Sequence, residues 1–222
     1  MENIFFIGVV AAIVLVGLWY FHFAGYNRRR GMKALCWVET ACISRVRILE
    51  AEWIGSSRLQ ARLRFADRWF DNANVTIRLL PRPHPLQWLL SYCKKQKETL
   101  TFEADLDYVP GMRLEVIRHQ WLTHRGKRAD LNSQNWEVAR PGPVVLTTSA
   151  RWQRELPPIV GTLMTSRGHK LLNVRFRPES PQLAATIALE ALSGEDAAAG
   201  FLGVLRDLAS GASTSRQWPL SG

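Results

Sequence analysis

The pattern of apolar and polar positions divides this chain sharply after its first two dozen residues. Ile4 to Ala24 reads I-F-F-I-G-V-V-A-A-I-V-L-V-G-L-W-Y-F-H-F-A, twenty-one residues without a formal charge. At a helical rise of about 1.5 Å per residue such a run covers roughly 30 Å, the hydrocarbon thickness of a bilayer. Trp19, Tyr20, Phe21, Phe23 and Tyr26 crowd its C-terminal end, where amphipathic rings settle at headgroup level. His22 lies close enough to that rim to need no proton-relay role. The pattern predicts a transmembrane helix bounded by Ile4 and Ala24, with Trp19 and Tyr20 as interfacial anchors. A cleaved secretory signal is the rival reading, but it needs a basic start, a shorter apolar core and a small-x-small exit. Met1-Glu2-Asn3 has no basic residue, and Phe23-Ala24-Gly25 is a poor exit.

From residue 34 onward the pattern changes to alternation. Ala34 to Ile43 is apolar and reads equally as a strand or a short helix. Val46 to Ile54 and Arg58 to Phe65 read as a hairpin around Gly55-Ser56-Ser57. In the second strand Leu59, Ala61, Leu63 and Phe65 alternate with Arg58, Gln60, Arg62 and Arg64, so period two sends the first set to a core and the arginines to solvent. Asn74 to Leu80 gives another strand, ended by Pro81-Arg82-Pro83-His84-Pro85. Pro85 opens a helix in which Leu86, Leu89, Leu90 and Cys93 follow at i, i+3, i+4 and i+7.

Thr99 to Leu106 and Met112 to Trp121 read as a second hairpin around Val109-Pro110-Gly111, with Leu106 opposite Leu114 and Ala104 opposite Val116. His124 to Asn135 is a polar loop and a candidate boundary. Short strands follow at Trp136 to Ala139 and Val144 to Thr148. Ile159 to Thr165 and Lys170 to Arg177 suggest a third hairpin. Ser180-Pro181 carries an N-cap and a proline at the first helical position, which predicts a helix to about Leu192. Ser193-x-x-Asp196 resembles a capping box for one more helix, with Phe201, Val204, Leu205 and Leu208 as its apolar stripe. The Gly- and Ser-rich tail from Ser210 predicts disorder. Strand, proline elbow and helix thus occur twice, a loose internal echo.

The expected architecture is α+β: one N-terminal transmembrane helix, then a mostly antiparallel sheet of several hairpins with about three packed helices. Residues 1–3 are a short N-terminal end, 4–24 the span, 25–33 a basic juxtamembrane tether and 34–128 a basic α+β region. Residues 129–209 form a second α+β region, open to being continuous with the first, and 210–222 the tail.

Charge adds orientation to this picture. Glu2 precedes the span, while Arg28, Arg29, Arg30 and Lys33 follow it, so the positive-inside rule places the N-terminus outside and the C-terminal domain in the cytoplasm. The same four residues suit anionic headgroups. The chain carries a net +10, and nearly all of it falls within residues 1–128, the membrane-proximal part. Three cysteines, Cys36, Cys42 and Cys93, show no metal-binding spacing and form no complete disulfide set, which suits reduced thiols in a cytosolic domain. Gly8 and Ala12 lie one turn apart, a spacing that permits helix pairing but is common in spans.

Candidate chemistry is thin. No phosphate-binding glycine loop, zinc-protease helix or nucleophile elbow is present in the sequence, and no cofactor, metal or catalytic residue is assigned. His84, His119, His124 and His169 stand apart from one another. Asp105 and Asp107 project from one face of a strand, where alternation of charge is ordinary for a solvated face. The binding candidates are the basic face Arg58, Arg62 and Arg64, the helix bearing Trp88, Tyr92, Lys94, Lys95 and Lys97, and the loop Arg125 to Arg128. The helix reads either as core-packed with a basic end or as lying on a membrane interface. These features lead to three expectations. The first is a membrane-anchored, non-enzymatic interaction or scaffolding module with a protein partner or a second copy. The second is a lipid-binding or lipid-handling domain at the inner leaflet, and the third is nucleic-acid binding. An enzyme is the minor alternative.

Overall fold

The computed structural model describes residues 2–41, 46–66, 69–107, 109–110, 113–118, 136–139, 144–149, 171–192 and 194–214. Its first element, α1, is a single uninterrupted helix over Glu2–Ala41. Nothing in the sequence before Ala41 breaks it, since the chain has no proline there and its glycines stand singly. The N-terminal part of α1 is apolar and exposed, and it is long and apolar enough to cross a membrane. Residues 25–33, expected as a tether, are helical throughout, and the ambiguous stretch after Ala34 continues the same helix.

The rest of the chain is built on an antiparallel sheet. Its strands are β1 (Val46–Ile54), β2 (Arg58–Phe65), β3 (Phe70–Arg78), β4 (Thr99–Leu106), β5 (Leu114–Arg118), β6 (Trp136–Ala139), β7 (Val144–Ser149), β8 (Leu171–Phe176) and β9 (Leu183–Ala188). They lie in the order β1-β2-β3-β4-β9-β8-β5-β7-β6. Among the described residues two further helices accompany the sheet in an α+β fold: α2 (Pro85–Cys93) between β3 and β4, and α3 (Glu195–Thr214) at the C-terminal end.

The β1–β2 hairpin forms over the expected residues, with Ile54 opposite Arg58 and Gly55 at φ 73° supplying the left-handed turn conformation. Cross-strand register carries the apolar face from β2 through to β5. Leu59 faces Ile77, Val75 faces Phe102, Phe102 faces Ala185, Ala185 faces Val174 and Val174 faces Val116. Against this face pack Ala34, Leu35 and Val38 of α1 and Ala198, Phe201, Leu205 and Leu208 of α3, all buried in one core.

Three expectations are corrected. Thr99–Leu106 and Leu114–Arg118 do not form a hairpin: β4 pairs with β3 and β9, while β5 pairs with β7 and β8. Strands β9 and β8 stand between them, so the apolar alternation that both carry is satisfied by non-local partners. The segment after Ser180-Pro181 is strand β9 followed by a single 3-10 turn at Leu189–Ala191, not a helix. Every residue of Leu183–Ala188 is buried; a strand covered on both faces is apolar throughout and lacks the period that separates strand from helix. With that helix gone, the strand–elbow–helix echo disappears. Helix α3 also runs through Ser210 to Thr214, so the described start of the expected tail is helical. The proposed strand at Ile159 to Thr165 lies outside the described residues, as do 215–222. Strands from residues 34–128 and from 129–209 share the one sheet.

Candidate membrane-proximal site

The candidate site lies where α1 leaves its apolar stretch and meets the end of the sheet. Helical spacing brings Asn27, Gly31, Ala34, Leu35 and Val38 onto one stripe of α1, and all five are buried. Asn27 is fully enclosed. Its Nδ2 donates to the carbonyls of Ser56 and Leu80, both at 3.0 Å, and its Oδ1 accepts from Arg82 at 3.2 Å. One amide side chain thereby satisfies the β1–β2 turn, the end of β3 and a guanidinium.

Beside it, Glu98 gathers two arginines. Arg30 Nε donates to Oε2 at 2.7 Å and Arg82 Nη1 to Oε1 at 2.5 Å, while the Leu80 amide donates to Oε1 at 3.3 Å. The Glu98 and Arg82 side chains are 7% and 17% exposed, and Arg30 is 40% exposed. Burial lowers the Arg30 pKa, but the charge of Glu98 and the Tyr26 hydroxyl outweigh it, so the guanidinium is held above its ordinary range. Tyr26 also lies under Arg82, whose guanidinium carbon sits 5.1 Å from the ring centroid. A few residues further on, Gly31 meets β1: a Cβ placed there would lie 2.7 Å from the tip of Trp53.

Helix α2 is held to α1 one level closer to the N-terminus. Trp19 Nε1 donates to the Arg82 carbonyl at 2.9 Å, and the Trp19 ring meets Trp88 edge-on at 6.1 Å. Tyr20 packs on His84 at 5.8 Å. The inward side of α2 is formed by Trp88, half-buried, and Ser91, buried. Its apolar stripe is not packed: Leu86 is 78% exposed, Leu89 52%, Leu90 59% and Tyr92 68%. Cys93 is exposed on the same helix, as are Lys94 and Lys95 immediately after it.

The basic residues are distributed unevenly. Arg28 and Arg29 are exposed, Arg30 is committed to Glu98, and Lys33 is exposed with its Nζ 5.3 Å from the Trp37 ring. Arg58 and Arg78 are exposed and directly opposite each other at the end of the sheet that Asn27 grips. Arg62 and Arg64 are exposed on the same sheet face as Arg58, with Glu50 and Arg47 as cross-strand neighbours. At about 3.3 Å per residue they lie roughly 13 and 20 Å farther along β2, beyond a Debye length of about 8 Å. Arg58 therefore belongs with the charges at the junction between α1 and the sheet, and Arg62 and Arg64 do not. Lys97 pairs with Glu190 at 2.8 Å.

Asp105 accepts from Asn72 Nδ2 at 3.2 Å and stands opposite Asp71, while Asp107 is exposed. Among the described residues no three His, Cys, Asp or Glu side chains group as a metal site. His119, His124, His169 and the Arg125–Arg128 loop lie outside them. Sequence reasoning did not single out Asn27, Gly31, Trp53, Arg82 or Glu98. The signal for the first two was the helical period carried straight through the arginine cluster.

The sequence matches no protein-family model and no curated protein.

Proposed function

We propose that this chain is a single-pass membrane protein, with its N-terminus outside and a basic α+β domain in the cytoplasm, acting as a non-enzymatic interaction module for a protein partner. The carrying observation is the continuity of α1. The same helix that supplies the apolar run also buries Asn27, Gly31, Ala34, Leu35 and Val38 in the domain. A domain attached this way is held at a set height and attitude, which is what a platform for assembly at a bilayer requires. The arginines after the span orient it by the positive-inside rule. The outward sheet face bearing Arg47, Arg62 and Arg64, together with the edge strand β1 where Leu49 and Ile54 are exposed, is the surface left to a partner. The test is in-cell crosslinking of the full chain followed by recovery in detergent. A stoichiometric protein partner, lost when Leu49 and Ile54 are replaced by Lys, supports the reading; recovery of the chain alone overturns it.

The exposed stripe of α2 favours a second reading, lipid binding at the inner leaflet. Lipid co-purifying stoichiometrically with the detergent-extracted chain distinguishes a lipid-handling role from surface contact alone.

A further inference from the structure

We infer that α2 is a second, non-spanning membrane element, its Leu86, Leu89, Leu90 and Tyr92 side embedded in the leaflet at which α1 exits. The inference rests on α1 crossing the bilayer but not on which side the domain occupies. Its first support is depth. Trp19 and Tyr20, the α1 residues that hold α2, lie five and four positions before Ala24, about 6–8 Å inside the end of the apolar run at about 1.5 Å per residue. Interfacial helices bury their apolar faces about 5–10 Å into the headgroup and acyl boundary. The contacts on α1 thus fix α2 at the depth at which such helices lie.

Its second support is the orientation of the helix. The residues α2 turns toward the protein are Trp88 and Ser91, while its leucines point outward. In water that is an inverted helix. Beside a membrane-spanning segment it is the ordinary arrangement, because bilayer takes the place of core. The third is charge: Lys94 and Lys95 follow the apolar face directly and are exposed, at the level where anionic headgroups attract basic side chains by about 1 kcal/mol each. A second copy of the chain fits this patch less well. Four side chains on a nine-residue helix fall short of the about 800 Å² per partner of a stable protein interface, whereas the Trp19–Trp88 contact places the helix beside the exposed apolar stretch of α1.

The test uses the full chain in bilayers of phosphatidylcholine and phosphatidylglycerol, with Cys36, Cys42 and Cys93 replaced by Ser. Single nitroxide labels are placed at Leu89, at Leu15 in the middle of the span and at exposed Arg62. Relaxation by oxygen is compared with relaxation by an aqueous nickel chelate. The expected result is Leu15 deep, Leu89 at shallow depth with oxygen strongly favoured, and Arg62 in water. Leu89 as open to nickel as Arg62, with Leu15 deep, overturns the inference and leaves the anchor standing. Leu89 closed to both reagents also overturns it, in favour of a protein contact. Leu15 open to nickel overturns the anchor itself.

Discussion

Gly31 of α1 and Trp53 of β1 approach so closely that the hydrogen of glycine fits and a methyl group does not: an added Cβ would stand 2.7 Å from the indole tip. Here α1 lies directly against the indole of β1. Two effects oppose each other in Gly31→Ala. Helix propensity favours alanine by about 1 kcal/mol, and overpacking against Trp53 costs about 1–3 kcal/mol. Trp53 is only half-buried and its ring end can give way, so the expected net loss is small, under about 1 kcal/mol. Gly31→Leu has no such relief and is expected to destabilise by about 2–3 kcal/mol. Denaturant unfolding of the domain in mild detergent measures both.

Glu98 is a buried carboxylate between two guanidiniums, and its removal is expected to be the most damaging of the polar substitutions. Glu98→Ala leaves Arg82 enclosed without its carboxylate partner and the Leu80 amide without an acceptor, at a cost of about 3 kcal/mol. In a chain of this size that corresponds to a fall in Tm of roughly 10 °C. Arg30→Ala, at a position 40% exposed, is screened by solvent and is expected to cost no more than about 1 kcal/mol. The raised Arg30 pKa contributes stability that is fully present below the ordinary arginine range and is lost only as pH rises through the higher folded value. Its contribution is therefore constant through the neutral range, so the difference between wild type and Arg30→Ala should not change between pH 6 and pH 8, an interval of about neutral conditions.

Asn27→Ala is expected to loosen one end of the sheet without unfolding it. The substitution leaves the Ser56 and Leu80 carbonyls without their side-chain donor, at about 1–3 kcal/mol in all. Hydrogen exchange should accelerate in peptides covering residues 55–60 and 79–84 while β8 and β9 keep their protection. Uniform acceleration across the sheet would show that the amide supports the whole fold instead of the junction.

Arg58 and Arg78 face each other as like charges at the same end of the sheet. Arg58→Glu turns a repulsive cross-strand pair into an attractive one, and in detergent it is expected to stabilise the domain by about 0.5 kcal/mol. On the proposed placement, with this end of the sheet beside anionic headgroups, the same change is expected to remove that gain in bilayers containing phosphatidylglycerol. Thermal unfolding in the two environments gives the comparison.

Where side chains alternated between core and water, the strands were legible in the sequence, as in Arg58–Phe65 and Thr99–Leu106. Where both faces are covered, as in Leu183–Ala188, no period remained, and Ser180-Pro181 supplied a helix signal that the burial of the following residues overrode. Partner choice was less legible still. Val109-Pro110-Gly111 looks like a turn joining neighbours, yet β4 and β5 are separated by β9 and β8, because alternation fixes which face is apolar and says nothing about which strand lies beside it. At the membrane-proximal site the arginines hid the helix. Arg28 and Arg29 are what a tether would show, whereas Asn27 and Gly31, on the other side of the same turns, are what a packed helix needs. The apolar face of α2 was equally plain as a pattern, but its outward direction depends on Trp19, more than sixty residues away.

The unbroken course of α1 also changes how a partner would find this protein. A forty-residue helix is about 60 Å of stiff rod, and on the proposed placement a domain packed on its C-terminal part would diffuse in the plane of the bilayer and spin about the membrane normal without tumbling. Every copy so anchored would offer β1 and the outer sheet face at one elevation. For a partner confined to the same membrane, the search is a planar one, and most of the orientational freedom that association ordinarily removes is already absent before the two meet.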